Sequence, residues 1–295
     1  MAHPLKLGLW TPNTNSWQTL QEQWTLIEEY GFDCTGLADH FMPTGGDIDQ
    51  SYVEGWIALT ALAVMHPRLR VAVLVSGNTY RHPALLAKMA ATLDVALGGR
   101  LDLGIGAGWY VPEHVAYGIT LPSAGERVER LREAIEIIRA LQQPGRTTYA
   151  GKHYQITDAP FAPLSPQPNG LPIMVGAQGP RMLRLVAELA DAWNLNHGPD
   201  EMARLGAQLD AHCVTVGRDP GSVRRVAFGF PAVLDVDPFS SVDAYEGVIS
   251  RYVAAGADEI SLRMPDAPAY ATLEQVAKRL PELRARFADA APASA

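Results

Sequence analysis

The sequence predicts an α/β fold, a (β/α)8 TIM barrel with an insertion between helix 4 and strand 5, filling residues 1–295 as one domain. Three observations predict it. Short apolar runs alternate with longer segments of helical period, which implies parallel strands joined by right-handed crossovers. The alternation repeats eight times, the number that closes a barrel. The chain is 295 residues long, enough for one barrel of about 250 residues plus an excursion. A doubly wound open sheet is the competing topology for the same alternation.

The elements follow in order. Residues 5–10 form the first strand, and Leu20, Trp24 and Ile27 give 17–30 a helical stripe that Gly31 ends. Strand 34–38 and helix 53–65 come next. Val71, Val73 and Val75 alternate through 69–76, the clearest strand in the chain. Pro83 opens a helix to residue 97, and Gly98-Gly99 stops it. Strand 101–106 precedes a charged amphipathic helix over 124–141. Residues 144–170 break the rhythm with prolines and glycines; within them 147–154 reads as a hairpin with a glycine turn, and the whole as a lid or binding loop. Strands at 172–176, 192–196, 226–234 and 259–264 alternate with helices at 180–189, 201–216, 242–255 and 273–287. The tail, 288–295, is expected to fray.

Composition narrows the function classes. The net charge is −8 and no Lys/Arg cluster stands out, so no nucleic-acid partner is expected. Cys34 and Cys213 fit no metal spacing and suit a reducing compartment. The N-terminus lacks the pattern of a signal peptide, and no apolar run is long enough for a membrane span. A cytoplasmic protein with no membrane partner is the expectation. His82, Glu113 and His114 form no metal-ligand pattern, and no metal site is expected.

In such a barrel the active site lies at the C-terminal ends of the strands. The residues there are Asp39-His40, Ser76-Gly77-Asn78, Gly104 to Trp109, Gly176 to Pro180 and Asn194 to His197. Gly176-Ala177-Gln178-Gly179 is small and runs into the helix opened by Pro180-Arg181. Free N–H groups and the helix dipole there favour a phosphate, though a tight turn without a ligand needs the same residues. Gly104, Gly106 and Gly108 make a weak dinucleotide motif but a plausible bed for a flat ring. His40 is the residue best suited to proton transfer, and a locally bonded histidine is the alternative. Trp10, Phe41, Trp109 and Trp193 either line a ring pocket or belong to the core.

Several blocks carry a resemblance. They are Gly77 to Asp94 closed by Gly98-Gly99-Arg100, Leu103 to Trp109 with Glu113-His114 and Tyr117-Gly118-Ile119, Pro172 to Pro180, and Ala190 to Asn194. In this order they resemble the luciferase-like superfamily, most closely the branch that uses the deazaflavin coenzyme F420. The resemblance implies a barrel holding the tricyclic ring above strand three, with a non-proline cis peptide within 73–75. It implies ring contacts from Asp39 and Ser76, with Gly106, Ala107 and Gly108 beside the ring; Asn78 and Trp109 are further candidates for cofactor binding. Gly176, Ala177, Gln178 and Gly179 would receive the phosphate, and His40 would be catalytic. Where sugar-phosphate dehydrogenases of the family carry an acidic glutamate, this chain has Trp109, which argues against a sugar phosphate.

The expected activity is hydride transfer between coenzyme F420 and a small organic substrate. An FMN-dependent monooxygenase is the alternative, and a non-catalytic flavin-binding barrel the second. The glutamate tail of coenzyme F420 favours a cationic exit groove, for which Arg81, Lys88 and Arg181 are candidates. A homodimer through the helices of the first units is implied.

Overall fold

The computed structural model describes residues 3–288; of the tail, 289–295 lie outside the described residues. The elements are β1 (Lys6–Trp10), α1 (Trp17–Glu29), β2 (Cys34–Leu37), α2 (Gly55–Met65), β3 (Arg70–Val73), β4 (Ser76–Gly77), α3 (Pro83–Ala96) and β5 (Leu101–Gly106). Then come α4 (Val111–Ala116), α5 (Ala124–Leu141), β6 (Arg146–Ala150), β7 (Gln155–Pro160), β8 (Ile173–Gly176), α6 (Pro180–Leu189) and β9 (Ala192–Leu195). The last are α7 (Pro199–Thr215), β10 (Arg224–Gly229), α8 (Val242–Ala254), β11 (Glu259–Arg263) and α9 (Tyr270–Ala288).

Strands β3, β2, β1, β11, β10, β9, β8 and β5 pair in that order, all parallel, and β3 pairs back onto β5. The sheet therefore closes, and the open-sheet alternative falls. Strand β4 continues β3 past a cis Leu74–Val75 peptide and also pairs with β5. That bond lies inside the segment where the resemblance places it. The insertion is the antiparallel hairpin of β6 and β7.

Local chemistry explains the element ends. The Ser16 hydroxyl accepts from the Thr19 amide and starts α1. The His82 ring does the same for Ala84 at 3.2 Å, with Pro83 at the first helical position. Gly98 and Gly99 follow α3 at φ +63° and +88°, a conformation that side chains resist. Two expectations need correction. Strand 226–234 runs instead from Arg224 to Gly229, because Pro231 has no N–H for the ladder and turns the chain into a short 3-10 helix. Residues 111–116 form a helix, α4, where no element was expected between strand 101–106 and helix 124–141.

Alternate residues of each strand fill the barrel in layers. At the N-terminal end Asp102 meets Arg70 and Arg224, and Arg224 also faces Glu259 at 3.3 Å. Above this charged layer lies a small apolar one of Ala72, Met174, Ala192 and Val226. A small cavity between them is bordered by Cys34, Thr35 and Ser261. The third layer, at the C-terminal mouth, is where the candidate residues gather. The larger core lies outside the strands, where Leu7, Leu37, Val73, Leu103 and Trp193 pack under the helices.

Candidate active site

The floor of the mouth is made of residues too small to fill it. Val75 follows β3, and its side chain packs over the glycines of the neighbouring strands. A Cβ added at Gly106 would lie 3.0 Å from Val75 Cγ2, and one at Gly176 would lie 2.8 Å from it. At Gly104 a Cβ would collide with the Val73 carbonyl. Gly108 has φ +82°, and a Cβ there would lie 2.7 Å from Thr79 Oγ1. The result is a smooth saddle of backbone and one valine, suited to a flat ring.

One edge of the saddle is built for an anion. Helix α6 begins at Gly179 with no side-chain cap, so its first N–H groups remain free for a ligand. Gln178 is exposed and donates to Asn196 at 2.6 Å, while Ala177 is buried with its carbonyl accepting from the Trp193 indole at 2.8 Å. Arg181 is exposed beside Gly125 and has no carboxylate partner among the described residues.

The opposite edge holds an imidazole–carboxylate pair. His40 Nδ1 lies 2.9 Å from Glu113 Oε2. Glu113 is fully buried on α4 and also accepts from the Phe41 amide at 2.5 Å, the Met42 amide at 3.3 Å and the Tyr80 hydroxyl. Burial pushes the Glu113 pKa up. The hydrogen bonds from His40, Tyr80 and Phe41 outweigh burial and hold the carboxyl below its ordinary range. An ionised carboxylate only accepts, so Nδ1 donates to it, and the neutral form of the ring would present its Nε2 lone pair. Nε2 makes no hydrogen bond among the described residues, and the Trp109 and Tyr110 rings stand edge-on to the imidazole at 6.0 Å.

Other expected site residues stand elsewhere. Asp39 is buried with its carboxylate committed to Arg81 at 2.6 and 3.0 Å, and Arg81 also holds Glu54. Burial raises the Asp39 pKa, against the pull of Arg81. Ser76 is buried and accepts from the Trp56 indole at 2.8 Å. Both sit behind the mouth and brace it. Asn78 is buried and donates to the Tyr154 hydroxyl at 3.3 Å, so the inserted hairpin reaches the site; its Oδ1 has no partner. Ala107 is half-buried beside Gly108, and Trp109 is exposed at the rim.

Trp193 does not line the mouth. It alternates with Ala192, so it points outward under α7. The expected cationic groove also contracts. Arg81 is spent on Asp39, and Lys88 donates to the Ala162 carbonyl at 2.6 Å while lying over the Phe161 ring. Only Arg181 of the three remains free for a ligand among the described residues.

Glu113 is the functional candidate that sequence reasoning passed over. Its signal was present: an acid beside His114, between two glycine turns. His114 fastens the same helix from the other side, through Thr79 Oγ1 at 2.8 Å and the Tyr110 carbonyl at 2.8 Å.

Comparison with known proteins gives the family and the fold. An F420-dependent glucose-6-phosphate dehydrogenase of Microbacterium testaceum is 37% identical over 179 residues, covering 59% of this chain and 51% of the relative. A 5,10-methylenetetrahydromethanopterin reductase of Archaeoglobus fulgidus is 32% identical over 231 residues, covering 78% of this chain and 64% of the relative. The aligned part thus spans between half and two-thirds of these relatives. An F420-dependent secondary alcohol dehydrogenase, solved with an F420–acetone adduct, superposes with TM-score 0.81 at 18% identity, over 94% of this chain and 98% of its own. The description "luciferase-like monooxygenase" matches residues 2–294, and the chain belongs to that family.

Proposed function

We propose that the protein is a coenzyme F420-dependent oxidoreductase acting on a small organic substrate. The observation that carries this is the pairing of a glycine-lined saddle with His40 and Glu113 at its edge. When bound, the deazaflavin supplies the hydride chemistry. Val75, Gly106, Gly108 and Gly176 would hold its ring, the free N–H groups of α6 its phosphate, and Arg181 its anionic tail. His40 Nε2 would take a proton from the substrate oxygen, or return it, while Glu113 steadies the imidazolium. Asp39 and Ser76 would support the seat from behind rather than touch the ring.

The direct test is titration of the purified protein with F420 and with FMN, followed by fluorescence. F420 should bind more tightly; tight FMN binding without F420 binding would sink the reading and favour a flavin monooxygenase. Solved luciferase-like barrels include a long-chain alkane monooxygenase at TM-score 0.78 and 14% identity, so the fold alone does not choose. The His40–Glu113 pair favours proton transfer coupled to hydride transfer. Replacing Gly176 by Val should weaken cofactor binding by more than roughly tenfold and lower Tm by about a few degrees, because the added side chain meets Val75 and fills the saddle.

We also propose a homodimer. Helix α2 buries Trp56, Leu59 and Leu62 yet exposes Ile57, Val64 and Met65, so it is apolar all round. Leu85 and Val95 on α3 extend the exposed apolar surface. Sedimentation should give a dimer, and Ile57→Glu with Val64→Glu should give a monomer; a monomeric wild type would end this proposal. Among the described residues no helix is long and apolar enough to cross a membrane. Cys34 and Cys213 are free and buried, which suits the proposed cytoplasmic location.

A further inference from the structure

The side of the mouth opposite the α6 N-terminus is walled by aromatic rings. Trp10 lies two residues from Gly8, and Phe228 two from Val226, on the same strand faces, so both point into the barrel from β1 and β10. Strand β11 lies between them, and their rings stack across it with centroids 4.6 Å apart and planes 24° apart. Phe230 continues the row at 6.1 Å. The Trp10 indole N–H is used on the Gly229 carbonyl, so this wall presents carbon faces and no free donor. Trp109 and Tyr110 supply further rings beside His40. A substrate covered in hydroxyls would lose its water hydrogen bonds here without replacements.

One cation stands beside the wall. Arg263 ends β11, in register with Trp10, and shares a strand face with Ser261 and Glu259, which border the interior cavity. Its carboxylate contact among the described residues is Asp266 at 3.4 Å, on an exposed loop. Such a contact is easily exchanged. The planar guanidinium fork suits a carboxylate. Arg81, by contrast, is held by two acids, and Arg127 donates to the Gly108 carbonyl at 2.9 Å.

We propose that the substrate is a flat, mostly apolar molecule bearing one carboxylate, which stacks on the Trp10–Phe228 wall and pairs with Arg263. The proposal rests on the hydride-transfer reading and names its substrate class. The carboxylate stays unchanged in the reaction. The bound deazaflavin would supply the hydride chemistry, accepting a hydride with both electrons from a carbinol carbon or returning it to the carbonyl, and His40 would take or return the hydroxyl proton.

Calorimetric titration of the F420-loaded protein with trans-cinnamate, methyl cinnamate and glucose 6-phosphate tests it. Cinnamate should bind at least roughly tenfold more tightly than either other probe, the size expected of a hydrogen-bonded charge. Arg263→Gln should erase the preference for cinnamate over its ester, and Arg263→Lys should keep part of it. Phe228→Ala should weaken both cinnamates by roughly three- to tenfold. Melting curves of each variant exclude misfolding as the cause. Tighter binding of glucose 6-phosphate, an unchanged preference in Arg263→Gln, or no binding of cinnamate would overturn the proposal. F420 affinity is measured first: its absence counts against the hydride-transfer reading, while F420 binding with the wrong probe order counts against this inference alone.

Discussion

Replacing His40 by Gln should lower kcat by roughly 10²–10⁴-fold, the usual share of a positioned acid–base group. Glu113→Gln should cost at least roughly tenfold in kcat with little change in KM, and the reason lies in the direction of one hydrogen bond. A glutamine amide can donate to Nδ1, which moves the ring proton to Nε2 and removes the lone pair that faces the mouth. The Phe41 and Met42 amides still find an acceptor, so the loop stays in place. If the two residues act as one unit, the double variant loses no more than His40→Gln alone. Losses that simply multiply would show that Glu113 only braces the loop. The acid side has a defined sign. The folded Glu113 pKa is depressed. Its contribution is therefore complete above the ordinary glutamate value of about 4.3 and is lost only as pH falls through the lower folded value. The stability difference between wild type and Glu113→Gln should shrink in that acid window and be level at neutral pH.

Asp102→Ala should destabilise the protein by roughly 3–5 kcal/mol, the cost of breaking a buried pair by removing one partner. Asp102 is buried at the floor of the barrel and receives both Arg70 and Arg224. Its removal leaves the Arg70 guanidinium with no carboxylate, held only by the Gly99 and Leu101 carbonyls and Gln167, and leaves Arg224 facing Glu259 alone. Denaturant unfolding measures the loss, which should appear as a fall in Tm of several degrees. A loss below about 1 kcal/mol, the size of an exposed ion pair, would contradict the buried network. Burial raises the Asp102 pKa, but Arg224 and Arg70 outweigh it and keep the carboxyl below its ordinary range. This stabilisation is thus present above about pH 3.9 and lost as pH falls through the folded value. Activity of the surviving folded fraction should be unchanged, because the charged layer lies at the far end from His40.

The barrel was legible because its signals are local and repeated: a period of two, a period of 3.6, and glycines or prolines between. The glycine saddle was legible for the same reason, since small residues at strand ends announce themselves. Helix α4 was not, because six residues between two glycine turns hold too little of a helical period to read. Glu113 meets His40 across 73 residues of sequence, and no local pattern encodes such a meeting. The Asp39–Arg81 pair was illegible for the same reason: Asp39 follows β2, and Arg81, which receives its carboxylate, lies 42 residues further on.

Helix α4 divides the labour of the molecule. The glycines and Val75 that form the seat belong to the barrel strands and their first turns. The carboxylate that orients the imidazole arrives instead on a short segment between β5 and α5, which grips the loop after β2 through Glu113 and the turn after β4 through His114. Inheritance of the seat and inheritance of the chemistry are therefore separable. A descendant chain could exchange this one cassette, acquire a different partner for His40 above the same glycine saddle, and leave every strand of the barrel as it was.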